Sequence, residues 1–243
     1  MVDSEDHAWL AYQRQFSENY DSLNYASGLQ AKVMRSSHRM AERAFDPTMR
    51  FDTVLEVGAG TGEHLPFVRH DFGRYLLTDR DPRTLEVAHA KLKLKLEPKL
   101  NSTALSRISF EPQQGERLVC ADSSVDRLIA THVLEHLYHP HLVLKEWIRV
   151  VKNGGVISIL IPCDPGLAWR LGRHLGARRR ATQKGMAYDY VMAREHVNSV
   201  NNLIAFIRHY FPIRQETWWP LRVPSIDLNL FYLCHATVTK TAA

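Results

Sequence analysis

The spacing of hydrophobic residues changes along the chain from a helical period to short apolar runs. Helical spacing predicts two helices near the start, over Ala8–Tyr20 and about Gly28–Phe45. Beyond residue 50, short apolar runs alternate with helical stretches, as is typical of strands buried on both faces of a parallel sheet. The predicted strands of this kind are Thr53–Val57, Tyr75–Thr78, Arg107–Phe110, Asp126–Thr131 and Val156–Ile161.

Helical stretches separate these strands. The segment His64–Val68 suits the start of a helix, and a second helix is predicted from Arg83 to about Lys95, after Asp81-Pro82. The stretch Lys91–Leu100 alternates with the period of a strand, but its continuity with this helix favours a solvated helix end.

One apolar helix face predicts the next helix, which carries Val143, Trp147, Val150 and Val151 and stops at the glycine turn Asn153-Gly154-Gly155. The pattern then breaks for about 35 residues, until a helix resumes over Asn198–Tyr210.

The last two predicted strands are Ile213–Trp219 and Leu228–Thr239. No helix separates them, so they are expected to pair antiparallel. Together the elements predict an α/β fold with a doubly wound, seven-stranded sheet that is mostly parallel and has an antiparallel last strand. We expect an N-terminal helical segment over residues 1–50 that covers the active site, and a main domain over residues 51–243.

Composition places the chain among soluble globular proteins. Of its 243 residues, 45% are hydrophobic and 23% charged, and no apolar run approaches the roughly 20 residues that a membrane helix needs. The acidic start lacks the pattern of a signal peptide. Three scattered cysteines cannot all pair and match no zinc spacing. These features predict a reduced, cytoplasmic protein without a metal site.

A glycine-rich loop follows the first predicted strand, with Gly58, Gly60 and Gly62 in the sequence VLEVGAGTG. A dinucleotide-binding loop would need glycine where Glu63 stands, and a phosphate-binding loop would need Gly-Lys-Ser/Thr. Together with Glu56, this acid would repel a pyrophosphate. The loop therefore favours a positively charged cofactor without phosphate, such as S-adenosylmethionine, and a carboxylate about 20 residues on, at Asp79, suits the ribose hydroxyls.

Four motifs in order, VLEVGAGTG, LLTDRDP, SSVDRLIATHVLEHL and RVVKNGGVISILIP, resemble the class I S-adenosylmethionine-dependent methyltransferases, most closely their small-molecule branch. The resemblance spans about residues 51–163 and implies a Rossmann-like fold with S-adenosylmethionine as cofactor. The implied cofactor-binding residues are Glu56, Gly58, Ala59, Gly60, Gly62, Asp79, Arg80, Gln114, Gly115, Glu116 and Thr131.

Within that implied set, Glu56 and the loop backbone hold the methionyl part, Asp79 the ribose, and Arg80 lies beside the adenine. The family usually has an acid at the position of Gln114. Its amide oxygen can still accept a hydrogen bond, or Glu116 can substitute.

Candidate catalytic residues follow the fourth strand. His132 lies at its carboxyl end, where ligands bind in such sheets, so it could orient or deprotonate an acceptor; a structural histidine is an equal alternative. His196 is the second candidate base, and a neutral amine acceptor would need no base. Cys163 after Pro162 is similar to the nucleophile of cytosine-C5 methyltransferases, but it follows the fifth strand instead of the fourth, which favours a buried or loop thiol.

The segment at about 162–200 is predicted to be an insertion that lies over the substrate. Arginine and lysine residues between Arg170 and Lys184 alternate with apolar ones, which indicates recognition of an anionic group, contact with an anionic membrane surface, or simply a solvated face. The candidate acceptor-binding residues are His136, Arg170, Tyr188, Tyr190 and Trp218. For His136 a packing or capping role is the favoured alternative, and Trp218 with Trp219 could equally form core and rim.

These observations predict methyl transfer to an oxygen or nitrogen of a small molecule or saccharide. The acceptor is expected to be anionic, phosphate-bearing or lipid-linked, in the biosynthesis of a metabolite or cell-surface glycan. Two alternatives remain: an RNA methyltransferase that uses the basic segment, and a catalytically silent partner subunit. Nucleic acid is disfavoured because no Asn/Asp-Pro-Pro-Tyr motif or added RNA-binding module is present. The sequence does not indicate an oligomeric state.

Overall fold

The computed structural model describes residues 9–12, 14–15, 28–96 and 105–240. Its described part forms a seven-stranded sheet in the order β3-β2-β1-β4-β5-β7-β6. The strands are β1 Arg50–Val57, β2 Asp71–Asp79, β3 Ile108–Pro112, β4 Val125–Thr131, β5 Val151–Pro162, β6 Arg214–Trp219 and β7 Phe231–Thr237.

The pairing confirms the predicted topology. Strands β1 to β5 pair parallel, whereas β7 runs antiparallel to both β5 and β6. The connection from β6 to β7, residues 220–230, contains no helix, which favours antiparallel pairing because a parallel pair needs a long crossover that is usually helical. The fold is therefore α/β and Rossmann-like, with one antiparallel strand inserted near its edge.

Helices cover both faces of the sheet. They are α1 Gly28–Glu42, α2 Pro82–Leu96, α3 Pro140–Val150, α4 Leu167–Arg173, α5 Arg179–Gln183, α6 Tyr188–Glu195 and α7 Val200–Tyr210. Short 3-10 turns form at Leu65–Phe67 and Leu134–His136, and a π-helical turn, His174–Arg178, joins α4 to α5. Residues 9–12 and 14–15 are helical too, but most of the predicted helix Ala8–Tyr20 lies outside the described residues.

The core forms on the two faces of the sheet. On one face, α3 and α7 bury Trp147, Val150 and Leu203 against β4 and β5. On the other face, α2 packs on β1 and β2, and α1 packs on β5 and β7. The N-terminal helix is thus an integral part of the sheet's cover.

A buried ionic cluster fixes the end of α1 to the sheet. Arg127 of β4 donates two hydrogen bonds to the Glu42 carboxylate, at 3.0 and 2.7 Å, and stacks 3.5 Å over the ring of Phe45. His64 Nε2 lies 2.9 Å from the same carboxylate, and its Nδ1 lies 3.1 Å from Nδ1 of His38. We call Glu42, Arg127, His64 and His38 the anchor cluster.

Three local predictions are corrected. Residues 58–70, all described, contain the single 3-10 turn Leu65–Phe67 and not the helix expected to start at His64. The helix expected to reach Asn153-Gly154-Gly155 ends at Val150, and these three residues lie inside β5. The pairing explains this, because Val151 already pairs with Val125 before the register shifts.

The third correction concerns the segment after β5, where the sequence showed no helical pattern. The structure forms helices α4 to α6 there. The alternating stretch Lys91–Leu100 is helical as far as Leu96, and its remaining residues lie outside the described part. In the described ranges, no helix is both long and apolar enough to cross a membrane.

Candidate active site

The glycine-rich loop turns sharply at the carboxyl end of β1. Gly58 and Gly60 have φ values of +63° and +53°, which glycine adopts without the steric cost that a Cβ brings. A Cβ on Gly58 would lie 2.5 Å from Cγ2 of Val133, so the residues after β4 pack directly on the loop. A Cβ on Gly60 would meet no atom within 4 Å, so this side of the loop is open to a ligand.

Asp79 joins the end of β2 to this loop. One carboxylate oxygen accepts a hydrogen bond from the backbone N–H of Gly60 at 3.0 Å, and the other accepts one from the N–H of Asp81 at 3.0 Å. The backbone N–H of Ala59 donates to the carbonyl of Thr78 at 2.8 Å. A half-buried carboxylate therefore lies beside the open face of the loop, as a cofactor with a ribose requires.

Glu56 occupies a different environment from Asp79. Its carboxylate is buried and accepts a hydrogen bond from the Tyr75 hydroxyl at 2.5 Å. Burial raises the pKa of Glu56. The Glu56 side chain is therefore buried on the sheet, beside Tyr75 of β2. Its contact with the methionyl group stays a prediction.

The predicted adenine contacts lie along the ends of β2 and β3. The side chains of Arg80, Gln114 and Glu116 are exposed. The carbonyl of Gly115 accepts a hydrogen bond from Trp147 Nε1 at 3.0 Å, and a Cβ on Gly115 would lie 3.1 Å from Val57. The turn is thus held against the end of β1, and Thr131 ends the neighbouring strand β4.

His132 follows β4 and has a positive φ of 59°. Its N–H donates to the carbonyl of Leu160 at 2.8 Å, and its ring lies 5.4 Å from Phe231 and 6.0 Å from His38. Burial lowers the pKa of His132 to about 3, so its ring is neutral at pH 7. The neutral ring can accept a hydrogen bond, and a role for His132 as a base stays a prediction.

Glu135 lies in the 3-10 turn that follows, and sequence reasoning missed it. Its Oε1 lies 3.9 Å from His132 Nδ1 and 3.9 Å from His136 Nε2. Burial raises the pKa of Glu135 to about 8, and its buried Oε2 has no hydrogen-bond partner among the described residues. The available signal was the run HVLEH, in which an acid is followed directly by one histidine and preceded three residues earlier by another.

Two further histidines complete this group. His136 Nδ1 donates to the backbone carbonyl of Glu195 at 2.9 Å, and His196 Nδ1 lies 2.9 Å from Oδ2 of Asp164. The two rings are perpendicular, with centroids 4.9 Å apart. We call Glu135, His136 and His196 the Glu–His cluster.

The comparisons with known proteins agree with this geometry. Residues 55–159 match a family described as a methyltransferase domain. An uncharacterized methyltransferase of Mycolicibacterium gilvum is 30% identical over 191 residues, which are 72% of this chain and 71% of the relative. The chain belongs to the class I S-adenosylmethionine-dependent methyltransferases.

Other relatives and solved structures are more distant. An uncharacterized methyltransferase of Mycobacteroides abscessus is 26% identical over 204 residues, 76% of this chain and 75% of the relative. A Haloferax volcanii methyltransferase, solved with the Trm112 methyltransferase activator, has a TM-score of 0.58 at 17% identity, covering 96% of this chain and 97% of that one. Geranyl diphosphate methyltransferase in complex with S-adenosylmethionine has a TM-score of 0.57 at 10% identity, covering 85% and 86%. These structures show the shared fold, and the cofactor of this methyltransferase is S-adenosylmethionine.

Both ends of the insertion, the segment at about 162–200, contact the Glu–His cluster or the residues next to it. Asp164 at its start meets His196 near its end, and the Asn198 side chain donates to the carbonyl of Leu137 at 2.6 Å. Both ends of the insertion are therefore attached to the residues that follow β4.

The basic residues of the insertion divide into two groups. Arg178 pairs with Asp189 at 2.7 Å, Arg173 pairs with Asp164 at 3.1 Å, and Arg180 hydrogen-bonds to Gln30 of α1. Arg170 and Arg179 are exposed. The internal pairs hold the insertion in place, so the exposed pair is the part that could meet an anionic acceptor.

The remaining predicted acceptor residues are dispersed. Tyr188 is buried, whereas Tyr190 is exposed and packs edge-on against Trp9 and Tyr12. Trp218 packs in the main core with its ring 5.0 Å from Tyr232, so it is not brought together with the Glu–His cluster.

Cys163 is a buried thiol. Burial raises the pKa of Cys163 to about 12, so at neutral pH it is protonated and a poor nucleophile. This agrees with the structural interpretation of that cysteine.

Proposed function

We propose that this methyltransferase transfers a methyl group from S-adenosylmethionine to an oxygen or nitrogen of a small anionic acceptor, such as a saccharide or a phosphate-bearing metabolite. One observation carries the proposal. The residues after β4 bring His132 next to the glycine loop through the contact of Val133 with Gly58, and the insertion is attached to the same residues. The acceptor would therefore bind between the cofactor loop and the insertion.

When bound, the cofactor would supply a methyl group on a sulfonium, and S-adenosylhomocysteine would be the leaving group of an in-line attack by the acceptor atom. In our proposal Asp79 accepts hydrogen bonds from the ribose hydroxyls, and the cofactor lies against the open side of Gly60. Glu56, Arg80, Thr131 and the Gln114–Glu116 turn complete the binding site. The fit rests on the cradle at Gly60 and on the carboxylate of Asp79 beside it.

The main work of the protein is then to align the acceptor with the methyl group. His132 is the proposed proton acceptor for a hydroxyl, because its buried ring is neutral and its Nε2 has no hydrogen-bond partner in the described part of the chain. Its low pKa makes it a weak base. His196, oriented by Asp164, is the second candidate base.

The surface of the insertion supports the proposed acceptor class. Arg170 and Arg179 are exposed and can pair with a phosphate or carboxylate. On the same segment, the exposed side chains of Leu167, Leu171 and Leu175 recur every four residues. Arginines beside an exposed leucine stripe suit an acceptor with a lipid-linked anionic head group. In this proposal, helix α1 and the segment at about 162–200 cover the site.

Calorimetric titration with S-adenosylhomocysteine tests the cofactor site through Asp79. The loss of one hydrogen bond to this charged acceptor costs about 1.5–3 kcal/mol, so Asp79→Ala is expected to raise the Kd at least about 10- to 150-fold. Asp79→Asn keeps one acceptor oxygen, so its Kd is expected to lie between those of the unaltered protein and of Asp79→Ala. The control is Asp52→Ala, because Asp52 is a strand residue whose side chain is 76% exposed.

An unchanged Kd in Asp79→Ala would remove Asp79 from the cofactor site. Failure of the unaltered protein to bind S-adenosylhomocysteine would favour the silent-subunit alternative. Acceptors are then screened by transfer of a labelled methyl group. Incorporation into RNA and into none of the anionic metabolites would replace the acceptor class proposed here.

A further inference from the structure

We propose that Glu135, His136 and His196 bind one divalent transition-metal ion at the carboxyl end of β4. Each side chain offers one ligand atom, and these three atoms lie within 4.8 Å of one another. The residues come from two places, the 3-10 turn after β4 and the end of the insertion, which are 60 positions apart in the chain. Folding therefore creates this group, and no local motif does.

The hydrogen bonds of the two histidines orient them for metal binding. A backbone carbonyl can only accept, so Nδ1 of His136 must donate its proton to Glu195. Nδ1 of His196 donates likewise to the Asp164 carboxylate. In each neutral ring the lone pair is then on Nε2. Metal-binding histidines are commonly oriented in this way, by a carboxylate or carbonyl on the other nitrogen.

The carboxylate supplies a second, independent observation. Glu135 is 2% exposed, and its Oε2 lacks a hydrogen-bond partner among residues the structure describes. A buried polar group without a partner is costly, so its presence needs an explanation. A cation between the Glu135 carboxylate and the two histidine rings would give this carboxylate the partner that its Oε2 lacks. The side chain of His136 is 33% exposed, which gives an ion a route from solvent.

The donor set selects the class of ion. Two imidazole nitrogens and one carboxylate suit Zn²⁺, Co²⁺, Fe²⁺ or Mn²⁺ better than Mg²⁺ or Ca²⁺, which prefer oxygen ligands. An ion at about 2.0–2.1 Å from each ligand needs donors about 3.4 Å apart in a tetrahedral site. The distance from His136 Nε2 to Glu135 Oε1 is 3.9 Å, so small side-chain rotations would close the site.

The consequence for catalysis rests on the proposed function. An ion in the Glu–His cluster would lie beside His132, whose Nδ1 is 3.9 Å from the same Glu135 oxygen. It would favour acceptors with oxygen donors, such as vicinal hydroxyls or a carboxylate, and would help to hold them for methyl transfer. His196 would then be a metal ligand, leaving His132 as the proton acceptor.

Metal binding is tested on full-length, tag-free protein that has been treated with a chelator and dialysed. Zn²⁺ and Mn²⁺ are titrated by calorimetry, and Co²⁺ by its visible absorption. We expect one ion per chain. Glu135→Gln and His196→Gln are each expected to weaken binding at least tenfold, and Asp164→Asn about 10- to 100-fold through the orientation of His196. His139→Gln, on an exposed histidine of the same connection, is the matched control and should bind as the unaltered protein does.

The metal-free variants must show the circular dichroism and Tm of the unaltered protein, and His136→Gln replaces any that does not. The proposal would be overturned if the unaltered protein bound no stoichiometric metal ion. It would also be overturned if the Glu135 and His196 variants bound metal as tightly as the unaltered protein. S-adenosylhomocysteine is titrated into the same metal-free samples. Cofactor binding without metal binding would reject the ion site and leave the proposed function in place. Metal binding without cofactor binding would support the ion site and reject the proposed function.

Discussion

Two buried acid–histidine groups in this methyltransferase have similar composition and opposite character. In the anchor cluster, Glu42 accepts two hydrogen bonds from Arg127 and contacts His64. In the Glu–His cluster, Glu135 lies 3.9 Å from His132 and from His136, and its Oε2 has no partner within the described ranges. One carboxylate is paired with charged and polar protein groups, whereas the other has an oxygen without a hydrogen-bond partner in that part of the chain.

Ionisation shows the same contrast. Burial works against the charge on both acids, but the hydrogen bond from His64 and the charge of Arg127 outweigh it at Glu42 and lower the pKa of that residue. At Glu135 burial outweighs the opposing effect of a backbone hydrogen bond, and the pKa rises to about 8. A buried acid that is fully paired indicates a structural role, whereas one with no partner indicates a place for a ligand.

The largest effect should come from Glu42→Gln. Removing this carboxylate leaves Arg127 charged and buried without its partner, and breaking a buried pair in this way costs about 3–5 kcal/mol. We expect a loss of that size in the free energy of unfolding, measured by urea denaturation monitored by circular dichroism. A loss below about 1 kcal/mol would contradict the structural role of the anchor cluster.

A much smaller effect is expected for Glu135→Gln in the presence of a chelator. The substitution replaces a carboxyl that makes few hydrogen bonds in the described part of the chain, and none through Oε2, with an amide of the same shape, so the free energy of unfolding should change by no more than about 1 kcal/mol. The same urea denaturation measures it beside Glu42→Gln. A cost equal to that of Glu42→Gln would mean that Glu135 is held by interactions comparable to those of the anchor cluster, and the contrast would fail.

A comparably small effect is expected from a partly exposed ion pair on the edge strand β6. Hydrogen bonds from Arg208 and Arg214 lower the pKa of Glu216 to about 2, below its usual 4.5. The ionised form is therefore favoured by folding, and the resulting stability is present above about pH 4.5 and lost as the pH falls towards 2. Because the Arg208 side chain is 47% exposed, Glu216→Gln should cost only about 0.2–1 kcal/mol at pH 7.

Thermal unfolding at pH 7 and pH 3 checks this prediction. The difference in Tm between Glu216→Gln and the unaltered protein should narrow at the lower pH. If the Tm difference widened at pH 3, the pKa of Glu216 would be raised by folding and not lowered.

Local sequence patterns predicted most of the fold because its signals lie within single elements. The apolar run Val156–Ile161 and the glycine loop were both placed correctly. The errors occur where pairing between distant segments determines the secondary structure. Val151 to Gly155 extends β5 because Val125 offers a pairing partner, which a local pattern does not contain. The face of the sheet near His64 is covered by α1, so the connection after the glycine loop needs no long helix of its own.

The candidate site was predicted in part for the same reason. His132, His136 and His196 were recognised individually as candidates, but their separate roles were assigned without knowing that Glu135 connects them. The contact between residues 136 and 196 depends on how the insertion folds back, which the polar and basic sequence of that segment did not show. For Trp218 the sequence allowed an acceptor wall and a place in the core equally, and the side chain packs in the core beside Tyr232.

The attachment of α1 also has a consequence for the order of folding. Its partner on the sheet, Arg127, lies 85 residues beyond Glu42, and its apolar contacts on β7 come still later in the chain. During synthesis on the ribosome this helix therefore emerges long before the surface it covers. Contacts between such distant residues slow folding, since a large loop must close first. We expect docking of α1 to be a late event, with Met34 and Met40 exposed to chaperones until the last strands are made.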